Sequence, residues 1–251
     1  MDKLNIQLFS VKYALHNDFD GTLESLSKMG YEGVEFFGGY GGYGGYNPDE
    51  LQKRLDYYGL SAVSAHVPID EIEDDEKFAM HAQTLQKCGC MYIMNPWVEL
   101  NSEDEALRFG ERLEKAAEKC AKAGFLYGHH THGGELAAKD ENGNSYFDLM
   151  MSQAELCLVE FDTFWIEHAG ANIEEYLRKY AGKINLLHLK QMNNAEQKQV
   201  SPLNNGIIDF EPIVKTAKKF GTETFIYELD KSDDELGDAM ASIEWFRANK
   251  L

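Results

Sequence analysis

Four short segments in the second half of the chain carry the residues best suited to chemistry. They are GHHTHGGE (128–135), LVEFD (158–162), LLHLK (186–190) and IYELD (226–230). Each brings an imidazole or a carboxylate to the end of an apolar run. His130, Asp162, His188 and Glu228 together offer two nitrogen and two oxygen donors. That set suits a divalent cation such as Mn²⁺, Zn²⁺, Co²⁺ or Mg²⁺. Taken singly, a histidine or aspartate at a strand end is more often a hydrogen-bonding or capping group. Four from successive segments argue for a shared ion. Such an ion, chelating a hydroxyl and an adjacent carbonyl, acidifies the C–H between them. Glu228, binding through one oxygen, is then a candidate base, and His132 and Lys190 are candidate acid–base or oxyanion-holding groups. His66, Glu35, Trp97, Trp165 and His168 are candidate substrate contacts. His16 and His81 read as surface residues.

These residues need elements to bring them together, and the chain supplies a regular alternation. Strand-like runs fall at 5–10, 33–37, 60–66, 92–97, 125–130, 158–162, 184–190 and 224–228, with amphipathic stretches between them. Helix signals are explicit. Asp20 is placed to cap a helix that stops at Gly30. Asn47 caps another that has Pro48 in its first turn and stops at Gly59. Ser102 and Glu105 form a capping box for a long helix ending at Gly124. Eight strands alternating with helices predict parallel βαβ units closed into a (β/α)₈ TIM barrel, as one domain over 1–251. A doubly wound open sheet is the competing architecture, but FSVKYAL stands where its Gly-rich phosphate loop would be. The polar stretch 192–209 reads as a long loop after the seventh strand.

A barrel of this kind carries its chemistry at the C-terminal ends of its strands, where the four segments end. Alternation along a strand puts His130 and His132 on one face, with Gly128 leaving room below, and aligns His188 with Leu186 and Glu228 with Ile226. The same phase turns Glu160 inward beneath Asp162, where a buried carboxylate demands a partner that spacing alone does not identify.

The second run leads into GGYGGYGGY at 38–46. On the barrel reading this loop lies on the active-site face. Glycines permit close backbone approach, and tyrosines offer flat faces suited to sugar rings. Tyr40, Tyr43 and Tyr46 therefore read either as a wall over the substrate or as a turn packed on its own barrel. No Gly-Lys-Ser/Thr follows, so the loop is not a phosphate-binding P-loop.

Composition narrows the partners. The formal charge is −19, from 43 acidic and 24 basic residues, which repels nucleic acid and anionic membrane surfaces. The four cysteines, Cys88, Cys90, Cys120 and Cys157, lack zinc-site spacing and read as reduced and structural. The first residues lack the apolar core of a signal peptide, and no apolar run approaches a membrane span. A soluble, cytoplasmic protein acting on a small molecule is expected.

The same segments resemble the sugar phosphate isomerase/epimerase family of the xylose-isomerase-like TIM-barrel superfamily. The likeness runs through IQLFSVK, GYEGVEFFGGYGG, GHHTHGGE, NNGIIDFEPIVKTAKKFG and FIYELD, and is most specific from Phe161 to Met192. It implies a divalent metal held at the ends of strands five to eight. Asp162, His188 and Glu228 match the family's aspartate, histidine and glutamate ligands. Ketose epimerases of the superfamily place a glutamate on strand five, where this chain has His130. They also carry a histidine three residues after the aspartate, where this chain has Trp165. One of the two carboxylates that move a proton on opposite faces of a sugar carbon is thereby absent. The resemblance implies a metal-dependent isomerase or epimerase acting on a keto sugar, polyol or sugar acid through an enediolate. A lyase of the inosose-dehydratase type and a non-catalytic sugar-binding protein are the alternatives. A DNA-repair endonuclease, from the same superfamily, is opposed by the net charge.

Overall fold

The computed structural model describes residues 3–38 and 43–251. Eight strands form the barrel: β1 (Leu4–Gln7), β2 (Gly33–Phe36), β3 (Ser61–His66), β4 (Tyr92–Asn95), β5 (Leu126–His130), β6 (Leu158–Asp162), β7 (Leu186–Leu189) and β8 (Thr224–Tyr227). All pair in parallel, each with its neighbours in sequence, and β8 closes on β1 through Leu4↔Phe225 and Ile6↔Tyr227. The result is a closed (β/α)₈ TIM barrel.

Local chemistry explains where elements begin and end. β1 is shorter than its apolar run because the Gln7 side chain accepts from the Phe9 amide at 3.1 Å and turns Leu8–Val11 into a 3₁₀ turn. The helix Phe19–Met29 is capped by Asp18, whose carboxylate accepts from Gly21 N–H at 2.9 Å, and not by Asp20. Asn47 and Glu50 form a reciprocal capping box for Pro48–Tyr58. Ser102 caps Glu103–Lys122, but Glu105 reaches back to the Asn101 amide. Within the polar stretch after β7, Val200–Ser201 pairs antiparallel with Gln191–Met192. No helix among the described residues is long and apolar enough to cross a membrane.

The barrel interior is layered. Met94, Leu186 and Ile226, all fully buried, form an apolar plug. Two residues further along the strands, on the same faces, the lining becomes polar: Leu186 gives way to His188, Ile226 to Glu228 and Gly128 to His130. Gly128 pairs with Met94 across β4 and β5. A Cβ there would lie 2.5 Å from the Met94 sulfur and 3.0 Å from the Leu158 carbonyl oxygen. The space the glycine leaves is filled by the methionine, so the floor under His130 is solid. Gly128→Ala should lower unfolding free energy by ~1–3 kcal/mol, the usual cost of overpacking a filled core. Urea denaturation would read this, and an unchanged midpoint would show that Met94 yields without cost.

Candidate metal centre and substrate cavity

The ends of β5 to β8 are fastened to one another by hydroxyl groups. Thr131 Oγ1 accepts from the Asp162 amide at 3.1 Å. Thr163 Oγ1 accepts from the Lys190 amide at 2.9 Å and donates to the Lys190 carbonyl at 2.8 Å. Ser10 Oγ accepts from the Leu229 amide at 3.0 Å, next to Glu228. These bonds hold the functional side chains where the strands leave them.

The structure brings His130, Asp162, His188 and Glu228 together. One donor atom from each lies within 4.8 Å of the others, and all four residues are buried. Asp162 divides its two oxygens. Oδ1 caps the helix Thr163–His168 by accepting from Trp165 N–H at 3.1 Å, while buried Oδ2 has no hydrogen-bond partner. An orphaned carboxylate oxygen facing two imidazoles and a second carboxylate fits a divalent cation. Electrostatics agree. Burial pushes the Asp162 carboxyl up to about 7, against the pull of Lys190. Burial, reinforced by His188 and His66, holds His130 well below the usual histidine range, leaving it in the neutral form that ligates metals. Burial would raise Glu228, but Lys190 and His188 outweigh it and keep it an anion.

Beneath lies the partner that Glu160 requires. Its Oε2 is 2.8 Å from His66 Nε2, 3.0 Å from His130 Nδ1 and 3.4 Å from His188 Nε2. Glu35 sits beside it, 2.8 Å from His188 Nε2 and 3.1 Å from His66 Nε2, and accepts from Gln7 Nε2 and Ser64 Oγ. Burial works against a charge on His66, yet Glu35 and Glu160 raise its pKa to about 10. Lys190, also buried, stands 2.6 Å from Asp230, 3.2 Å from Glu228 and 3.5 Å from Asp162. Burial disfavours its ammonium, but those three carboxylates prevail and raise its pKa.

A cavity of about 470 Å³ opens over this cluster, lined by Gln7, Phe9, Phe37, Gly38, His66, Pro68, Pro96, Trp97, His130, His132, Glu228 and Asp230. His132 forms part of its wall with Nδ1 free of hydrogen bonds, and its ring lies 4.9 Å from Trp165. Burial, aided by the Lys190 charge, lowers its pKa to about 3, so it is neutral. Trp97 stands at the mouth, 59% exposed.

Several expected contacts differ. Glu35 is fully buried among the histidines and touches no cavity. Tyr43 turns away: its hydroxyl is 2.7 Å from His81 Nδ1 and its ring packs edge-on against Phe36. It lines a smaller cavity, about 280 Å³, that shares Phe37 with the first. His81 is consequently buried, with Glu71 on its other nitrogen at 2.8 Å, and is not a surface residue. His168 is exposed behind Trp165, at the end of a helix, and does not reach the cavity. Tyr40 lies outside the described residues. The sequence reading missed Asp230, Gln7, Phe9 and Phe37. Asp230 was discoverable, since it is two residues after Glu228 and so shares its face. The others required the closure of β8 onto β1.

Known proteins bear on this arrangement. A family model for the xylose isomerase-like TIM barrel matches residues 23–249. An inosose dehydratase of Geobacillus kaustophilus is 22% identical over 202 residues, covering 71% of this chain and 64% of that protein. The chain thus spans under two thirds of that relative's length. An inosose dehydratase of Clostridium beijerinckii is 25% identical over 264 residues, covering 88% of this chain and 85% of that protein. A crystal structure of a sugar phosphate isomerase/epimerase from Parabacteroides distasonis superposes with a TM-score of 0.84 at 21% identity, covering 98% of this chain and 94% of that one. At that identity the superposition speaks for the fold, whereas the family match extends over nearly all of the barrel. On that match, this chain belongs to the xylose isomerase-like TIM barrel family.

Proposed function

We propose that this chain is a metal-dependent sugar isomerase or epimerase. It would move the proton on the carbon beside the ketone of an uncharged keto sugar or keto-cyclitol. The observation that carries this reading is the convergence of four buried donors, one an unpartnered aspartate oxygen, at a cavity walled by a neutral histidine. A divalent ion held by His130, Asp162, His188 and Glu228 would supply Lewis acidity to a substrate hydroxyl and carbonyl, favouring an enediolate. Glu228, bound by His188 at 2.9 Å and Lys190 at 3.2 Å, is better placed as an ionised ligand than as a free base. His132, whose ring lines the cavity, takes the proton from carbon. Lys190 stays protonated among its carboxylates and, buried behind the cavity wall, balances the charge of Asp162 and Glu228. Phe9, Phe37 and Trp97 offer apolar faces to the ring.

A dehydratase is the second reading, favoured by two curated relatives that are inosose dehydratases. There the same proton goes to His132, and the hydroxyl on the next carbon leaves as water after protonation. Incubation of keto sugars and inososes in D₂O separates the readings. Deuterium at the α-carbon without loss of water indicates isomerisation, and release of water with an unsaturated product indicates elimination. Neither outcome across such a panel would overturn the enzymatic reading and leave a binding protein.

Asp162→Asn and Glu228→Gln should each reduce bound metal and cut turnover by about 10³-fold or more, the scale of a lost Lewis acid. Circular dichroism should remain that of the parent, and parental turnover in either variant would remove that residue from the mechanism. His132→Gln should keep its metal yet lose ~10²–10⁴-fold in kcat, as expected for a general base. Among the described residues, the cavity wall presents Glu228 and Asp230 and no arginine or lysine. A phosphorylated ketose should therefore show a kcat/KM at least ~10-fold below its unphosphorylated counterpart, roughly one like-charge repulsion near a protein surface.

A further inference from the structure

The two imidazoles of the candidate centre are each gripped from behind. We infer that Glu160 is a positioning residue that selects which ring nitrogen of His130 faces the ion; the inference rests on the metal-dependent reading above.

For His130, Nδ1 is 3.0 Å from Glu160 Oε2, and Nε2 is 3.8 Å from Asp162 Oδ2. A nitrogen lone pair cannot face a carboxylate oxygen at hydrogen-bond distance without repulsion, so Nδ1 carries the proton. That leaves the Nε2 lone pair directed at the orphaned Asp162 oxygen, the ligating arrangement. His188, by contrast, is engaged at both nitrogens: Nε2 is 2.8 Å from Glu35 and Nδ1 is 2.9 Å from Glu228. Glu160 thus fixes the tautomer of His130 alone, and the open nitrogen of that ring points toward Asp162.

His66, His130, Glu160 and His188 also form a compact constellation of their own. It presents the rear nitrogens of the same two rings. An ion there would require His130 Nδ1 to lose the proton that the front site needs it to keep. The lower carboxylates therefore serve the rings, and His66 serves the carboxylates by contacting both through Nε2. Glu160 is the more sensitive of the pair. Glu35 has additional donors in Gln7 and Ser64, whereas one Glu160 oxygen has no partner and the other is held only by imidazoles. A carboxylate behind a metal-bound histidine raises the basicity of the ligating nitrogen, and its removal typically costs 10–100-fold in metal affinity.

The test is titration of the full-length chain with Co²⁺, followed by its visible absorption, in the parent and in Glu160→Gln and Asp162→Asn. The parent should bind one Co²⁺ per chain. Glu160→Gln should weaken binding by about 10- to 100-fold and shift the Co²⁺ bands, with the ion-free melting temperature near that of the parent. Glu160→Gln binding Co²⁺ as tightly as the parent, with unchanged bands, would overturn the positioning role and leave the metal site standing. A parent chain that binds no Co²⁺ would overturn both. Isotope-labelled histidine NMR of the parent supplies a readout independent of any variant's folding. His130 is expected with its proton on Nδ1, and a proton on Nε2 instead would sink the inference.

Discussion

Four carboxylates, Glu35, Glu160, Asp162 and Glu228, are buried within one barrel mouth, and their desolvation constrains everything around them. An isolated buried carboxylate is too costly to remain charged, so each must be paired, hydrogen-bonded or protonated. Histidines on β3, β5 and β7 and the lysine beyond β7 supply the compensating groups. This explains why polar side chains that would destabilise an ordinary barrel core are tolerated above the Met94–Leu186–Ile226 plug. Removing any one partner would leave an uncompensated charge in a dry site.

The compensation is divided unequally. Glu35 is saturated by two imidazoles, an amide and a hydroxyl. Glu228 is shared between His188 and Lys190. Asp162 is the least satisfied, with one oxygen spent on a helix cap and the other open. The Asp162 oxygen without a hydrogen bond lies 3.8 Å from the His130 ring nitrogen and 3.5 Å from the Lys190 ammonium. A network complete in itself would read as structural. This one is incomplete at one oxygen of Asp162 and one of Glu160, beneath space for a ligand.

The centre also separates roles that sugar-converting sites of this fold often combine. Glu228 is pinned by two cations, which makes it a stable anion and a poor proton acceptor. His132 is held neutral by burial and by the nearby ammonium, and its ring lines the cavity. On the proposed reading, acid–base duty and ion-holding duty fall on different side chains, with a histidine and not a carboxylate ending β5.

Much of this was legible in the amino-acid order. Period-two alternation, caps at Asn47 and Ser102, and stops at Gly30 and Gly59 are local signals, and they predict eight strands and the barrel. The same alternation puts His130, Asp162, His188 and Glu228 at one rim, because residues two apart on a strand share a face. It also exposed the anomaly of Glu160. What it left open was decided by closure of the sheet. Only the barrel's closure lets Glu35 on β2 meet His188 on β7, lets His66 touch two carboxylates at once, and sets Asp230 in one cavity with Gln7 and Phe9 from the adjoining β1. Tyr43 looked like a sugar platform from its composition alone. The tertiary structure instead gave its hydroxyl to His81, because a hydrogen bond between partners distant in sequence leaves no local trace.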